Sequence, residues 1–222
     1  RTEGMYYMKA RSTWGNYSIS TDYRKPFALD ASVNAYYAAR DGSKGFGTEF
    51  NPLLRLNNKV TFSFSFGYDR EIHDYGYVDN QDNNVIFGNR DIHIFENGAS
   101  GKYLFKNNVS LSLMARHYYS QGKYNSFYTL MDNGYLTPNT SYQENHDFIF
   151  STFNVDMVFS WIFAPGSSMN IVWKNEITSE KDHATGNYYN NFDDTFREPQ
   201  LNNISLKLLY YIDYQRLSNN KS

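Results

Sequence analysis

Five histidines are the side chains best suited to acid–base or metal chemistry: His73, His93, His117, His146 and His183. Three sit beside a carboxylate, as His73-Asp74, His146-Asp147 and Asp182-His183. A His–Asp pair can orient an imidazole for base catalysis or help hold a metal. Neighbours on an extended chain point to opposite faces, however, so sequence neighbours do not make a dyad. Neither a His-x-His pair nor a glycine-flanked serine elbow is present, and the histidines read as solvated loop residues. The run Asp79-Asn80-Gln81-Asp82-Asn83-Asn84 offers oxygens to a hard cation. It lacks the glycine and distal glutamate of a calcium loop and reads as a polar loop, as does Asp193-Asp194. Glycoside hydrolysis needs two carboxyls roughly 5–10 Å apart across a cleft. Glu176, Glu180 and Asp156 are the candidates, and no spacing rule brings them together. Trp14, Trp161, Trp173 and Tyr188-Tyr189 are able to stack on sugar rings, but aromatics at strand ends more commonly form interfacial girdles. No residue earns a catalytic, metal-binding or cofactor-binding assignment, and the expectation is a protein without enzymatic activity or cofactor.

The elements that carry these residues are extended. Val60, Phe62, Phe64, Phe66 and Tyr68 alternate with Thr61, Ser63, Ser65 and Gly67, a period of two that a helix would scatter around its circumference. The same alternation returns in Phe153–Phe163 and Ile204–Tyr214. Ten strands are expected, at 5–12, 14–25, 28–40, 45–57, 59–72, 85–105, 108–130, 147–164, 168–178 and 201–214, with no helix. The connections alternate short (24–27, 57–58, 106–108, 165–167) and long (41–44, 73–84, 131–146, 179–200), as in barrels with short periplasmic turns and long external loops. Ten strands would put both ends of the domain on the short-turn side.

Composition fits that picture. The 222 residues are 41% hydrophobic and 18% aromatic, with 21 Tyr and 17 Phe, yet carry a formal net charge of only -2. A near-neutral chain without a basic stripe is not built to bind nucleic acid. The absence of Cys excludes a disulfide scaffold, a thiolate metal site and a catalytic thiol. No apolar run reaches the roughly 18 residues of a membrane helix, a test that barrel strands evade by alternating. Asp30, Arg40, Glu49, Arg55, Glu96, Lys102, Arg116, Asp156, Lys174, Glu176, Lys207 and Asp213 fall on polar faces, where charges of both signs suit a wet lumen and not a dry core. The Asn-x-Ser/Thr triplets at Asn16, Asn108, Asn139 and Asn203 matter only in a eukaryotic secretory route.

Several motifs look familiar together: Tyr23-Arg24-Lys25-Pro26-Phe27, Ile86-Phe87-Gly88-Asn89-Arg90-Asp91, Ser100-Gly101-Lys102-Tyr103, Leu113-Met114-Ala115-Arg116-His117-Tyr118, Phe163-Ala164-Pro165-Gly166-Ser167, Val172-Trp173-Lys174-Asn175 and Ser205–Tyr214. In this order they resemble the C-terminal barrel region of the Bacteroidetes family called domain of unknown function 5916. Members usually resemble a signal peptide, then a family-nine-type carbohydrate-binding module, then a long outer-membrane β region. The resemblance implies a C-terminal fragment, residues 1–222, of a larger barrel, with a closing strand upstream of Arg1. It transfers no sugar-binding or catalytic residue to this chain.

The fold expected is all-β: an antiparallel up-and-down transmembrane β-barrel of about ten strands, part of a larger barrel. The function expected is that of a non-enzymatic protein of the bacterial outer membrane, linked to surface glycan or nutrient acquisition or transport. Its partners would be outer-membrane lipid, glycans met through the external loops, and other outer-membrane proteins, with no nucleic acid. Two alternatives stand beside it: part of a surface carbohydrate-active hydrolase, and a soluble carbohydrate-binding β-sandwich of two stacked sheets.

Overall fold

The computed structural model describes residues 5–81 and 84–212. Alternating side chains give long antiparallel strands: β1 (Ser12–Ser20), β2 (Phe27–Ala38), β3 (Lys44–Arg55), β4 (Val60–Gln81), β5 (Asn84–Lys106), β6 (Val109–Leu130), β7 (Leu136–Pro138), β8 (Phe148–Ala164), β9 (Ser167–Lys181) and β10 (Gln200–Leu209). One helix, α1 (Tyr188–Thr195), lies between β9 and β10. The strands form one ten-stranded sheet in the order β1-β2-β3-β4-β5-β6-β8-β9-β10, with short β7 added beside β6. The sheet is not closed: β1 pairs with β2 and β10 with β9, and both edge strands are exposed at every position.

Short turns at 21–26, 56–59, 107–108 and 165–166 share one end of the sheet, here the turn end. The two-residue turn at 165–166 is closed by Gly166 with φ 74°, where a side chain would be strained. Residues 39–43, the β4–β5 hairpin, 131–147 and 182–199 share the other, the loop end. Pro52 sits inside β3, and the β3–β4 pairing, while keeping its register, skips the positions between Phe50–Phe66 and Leu53–Ser63, where proline has no N–H to give.

Several expectations need correction. Residues 5–12 are not a strand: Met5 and Tyr7 instead pack on Val85, Phe87 and Leu130, and Met8 N–H donates to the Gly134 carbonyl at 2.8 Å. The described part of the expected loop 73–84 is strand, because β4 and β5 run on past a bulge between Glu71 and Asp74, where His73 has φ 56°, and pair as far as Gln81 and Asn84. A helix is present. Nine strands span the sheet, so its first strand starts at the loop end and its last finishes at the turn end, not both on the short-turn side. The last strand also ends early, at Leu209: residues 210–212 are not strand, and only 213–214 of the expected extension fall outside the described residues.

Candidate functional site

Register pairing sorts every strand residue onto one of two faces, because directly opposed residues share a face. Val60, Phe62, Phe64, Phe66 and Tyr68 of β4 fix the first. Row by row they align with Tyr103, Gly101, Ala99, Asn97 and Phe95 of β5, and with Leu111, Leu113, Ala115, His117 and Tyr119 of β6. Phe159, Met157, Val155, Phe153 and Ser151 of β8 continue these rows, followed by Ile171, Trp173, Asn175, Ile177 and Ser179 of β9. No Asp, Glu, Lys or Arg lies on this face between the Val60 row and the Tyr68 row. Over the same span the opposite face carries Asp30, Glu49, Arg55, Glu96, Lys102, Arg116, Asp156, Lys174 and Glu176. The apolar face stays uncovered over most of its area: Phe27, Phe46, Phe50, Phe62, Phe64, Phe66, Leu113, Trp161, Ile204 and Leu206 are all exposed. At its turn end Tyr103, Phe105, Trp161, Phe163 and Tyr210 make ring contacts, with Tyr103–Phe105 at 4.6 Å and Trp161–Phe163 at 5.5 Å. Toward the loop end Phe46, Tyr68, Phe95 and Tyr119 form a second band.

Helix α1 covers part of the apolar face. Its Asn187 cap accepts from the Asn190 N–H, and Tyr188, Phe192 and Phe196, at helical spacing, turn toward the sheet. Beneath it His117 is buried with both ring nitrogens engaged, Nδ1 with Tyr188 Oη at 3.0 Å and Nε2 with Ser151 Oγ at 3.1 Å. Thr195 Oγ1 donates to Ser151 Oγ at 2.8 Å, and Asn97 donates to Tyr188 Oη at 3.0 Å. His117 thus acts as a structural latch that ties α1 to β6 and β8. Lys181 reaches across to Asp194 at 2.7 Å, and this bond holds the Asp194 carboxyl below its ordinary range.

The other expected sites are dispersed. Asp74 pairs with Arg90 at 2.8 Å, leaving His73 to Asn89 at 3.1 Å. Asp147 accepts the Tyr124 N–H, while His146 binds Tyr142 Oη at 2.6 Å. The Asp182 carbonyl accepts from Asn145, and His93 binds Tyr68 Oη at 3.0 Å. No His–Asp dyad arises from any of the sequence pairs. The Asp79–Asn84 run is mostly strand, with Asp82 and Asn83 outside the described residues, and Asp79 meets Tyr142 Oη at 3.5 Å. Among the described residues no group of three or more His, Asp or Glu is arranged to hold a metal. Asp156 and Glu176 are diagonal neighbours on β8 and β9, but Asp156 is engaged by Arg116 at 2.6 Å and Lys174 at 3.8 Å. Glu180 lies six residues further along the strand pair, roughly 20 Å from Asp156. Trp161 and Trp173 are on the apolar face, Trp173 donating to Asn202 at 3.0 Å. Trp14 is on the polar face and 76% exposed.

A cavity of about 320 Å³ opens at the loop end of the polar face, lined by Tyr7, Lys9, Trp14, Tyr36, Asp41 and Glu71 among others. Burial, then the neighbouring Asp74, pushes the Glu71 carboxyl above its ordinary value. Sequence reasoning missed this cavity because the segment that walls it, residues 5–11, was expected as a strand. It missed the latch because the signal for α1, Tyr188/Phe192/Phe196 after a capping asparagine, lay inside an expected loop.

Among the described residues no helix is long and apolar enough to cross a membrane, which says nothing of strands. No curated protein matches the chain. A family model described as a domain of unknown function, DUF5916, matches residues 1–221, and the chain belongs to that family.

Proposed function

We propose that this sheet is the wall of a non-enzymatic outer-membrane β-barrel, its apolar face toward lipid and its charged face toward a wet lumen, serving uptake or display of polar solutes at the cell surface. The observation that carries the reading is the partition of charge. One face is free of Asp, Glu, Lys and Arg from the Val60 row to the Tyr68 row and is exposed except beneath α1, while the other is charged at every level. In a soluble sandwich the apolar face would be covered by a second sheet, and the strands here make a single sheet.

The dimensions agree. From Val109 to Tyr119 along β6 is ten residue steps, about 34 Å of strand. At a tilt of about 40° this is about 26 Å of height, close to the apolar band of about 25 Å in such barrels. Aromatic rings mark both limits, as the two interfaces favour. The loop end, with the longer connections, then faces outward, and the polar-face cavity opens there.

Extraction from membranes decides the matter. The reading expects recovery only with detergent and a folded form that migrates differently on a gel before and after heating. A monomer released by salt or carbonate washing would sink it. On intact cells, protease should cut within 131–147 or 182–199 before 56–59, and the reverse order would invert the orientation.

A further inference from the structure

We propose that Lys44, Arg70 and Lys123, just beyond the loop-end limit of the apolar belt and on its lipid-facing side, form a girdle that binds anionic, phosphate-bearing lipid headgroups. The inference rests on the membrane reading above and names the lipid that this wall prefers. Arg70 is one row beyond Tyr68 on β4, opposite Phe46 and His93. Lys44 on β3 and Lys123 on β6 stand one row further, each on the face that carries Phe46 and Tyr119. They are the first cations met on leaving the belt across β3 to β6.

Their charges are unspent. None of the three makes an ion pair among the described residues, and the Arg70 Nε is shut off from water with no acceptor. The acid at this level, Asp91, lies opposite Lys123 and already accepts the His73 N–H at 3.0 Å. Lys181, the next cation along the row, is tied to Asp194 and Asn191. The exposed rings of Phe66 and Phe64 lie below Arg70 on the same strand, and Phe50 lies below Lys44. A headgroup phosphate seated on the cations would lay its chains over those rings, contacts that a free phosphate lacks. This continuity of cation and apolar surface argues for lipid over a soluble anion.

The full chain is folded into phosphatidylcholine vesicles containing a trace of spin-labelled phosphatidylglycerol or phosphatidylcholine, and the relative association of the two labels is measured by electron spin resonance. The phosphatidylglycerol label should be preferred by about fivefold or more, the weight of one basic residue near a charged surface. Lys44→Gln/Arg70→Gln/Lys123→Gln should lower that preference by about fivefold, and Lys44→Gln/Lys123→Gln, which leaves the part-buried arginine in place, should lower it partway. Lys102→Gln/Lys207→Gln on the polar face should leave it unchanged. A wild-type protein without preference, or a preference that survives the triple substitution, overturns the proposal. So does loss of the preference when chloride is replaced by inorganic phosphate at equal ionic strength, which would mark a soluble-anion site. Failure of the wild type to float with the vesicles at all would instead defeat the membrane reading on which the proposal stands.

Discussion

Leu113 and Met114 are consecutive on β6 and nearly equal in exposure, 47% and 42%, yet they stand on opposite faces. Arginine at either position separates the membrane reading from any soluble one. Leu113 shares its row with Phe62, Met157 and Trp173, near the middle of the apolar belt. An arginine on the lipid face at the bilayer midplane costs about 2–4 kcal/mol. That lowers the folding equilibrium constant by roughly 30- to 1000-fold. Met114 is aligned with Ser100 and Asp156 on the polar face. An arginine there gains a carboxylate neighbour worth at most about 1 kcal/mol in a wet setting. In a water-exposed sheet both substitutions would fall within about 0.5 kcal/mol of zero, as surface changes usually do. The assay is reversible unfolding of both variants by guanidinium in lipid vesicles, followed by tryptophan fluorescence. Leu113→Arg should lose at least about 2 kcal/mol relative to Met114→Arg. Equal stabilities would refute the assignment of the apolar face to lipid.

Other perturbations test the latch, the cavity and the lumen. Tyr188→Phe removes the hydroxyl shared by His117 and Asn97, a loss of about 1–2 kcal/mol; limited proteolysis within 182–199 should speed up roughly tenfold while the global unfolding midpoint in vesicles barely moves. Glu71 has a raised folded-state value, so the stability lent by its protonated form is full below the unfolded-state value and is lost as pH rises through the folded one. Glu71→Gln should therefore stabilise the protein at pH 7–8, with the gain vanishing toward about pH 4; a gain independent of pH in parallel melts would contradict the assignment. Asp156→Asn weakens contacts to Arg116 and Lys174, whose side chains are 57% and 64% exposed, so vesicle stability should change by less than about 1 kcal/mol. A loss above about 2 kcal/mol would mean that the polar face is dry.

The middle of each strand was legible because a sheet with one apolar and one polar face imposes a period of two, and the Phe62/Phe64/Phe66 column states it without ambiguity. What alternation does not encode is where a strand ends. Asp74, Tyr75 and Gly76 look like a turn, yet the bulge at Glu71–Asp74 lets β4 pass through it and pair again with Arg90 and Asn89. Met5 and Tyr7 alternate like a strand, but their apolar partners, Val85, Phe87 and Leu130, are three-dimensional neighbours that no local pattern announces. His73 and Asp74, like His146 and Asp147, bond to different partners, as neighbours on an extended chain do. His117 falls inside the expected strand 108–130, but its burial was not legible, because its shelter depends on a helix some seventy residues further along the chain. Charge partition between faces was the most legible property of all, since it needs only the register, and the register follows from the pattern.

Strand direction constrains how such a wall is completed. β1 runs from the loop end at Ser12 to the turn end at Ser20, and β10 runs the same way, since Gln200 pairs with Ile177 near the top of β9 and Leu209 with Ser168 at the turn. Edge to edge, β1 and β10 would therefore pair in parallel, unlike every other pair in the sheet. Bringing in a second copy of the sheet in the same membrane orientation does not help, because its edges run in that direction too. An all-antiparallel barrel requires an odd number of further strands between the two edges. Those strands must alternate in phase with the existing rows, presenting apolar side chains beside Tyr17 and Ile19 on one side and Ile204 and Leu206 on the other. In a barrel such strands would satisfy the free backbone groups of two edges nine and ten residues long. Parity of the strand count thus sets a requirement that composition and hydropathy never touch.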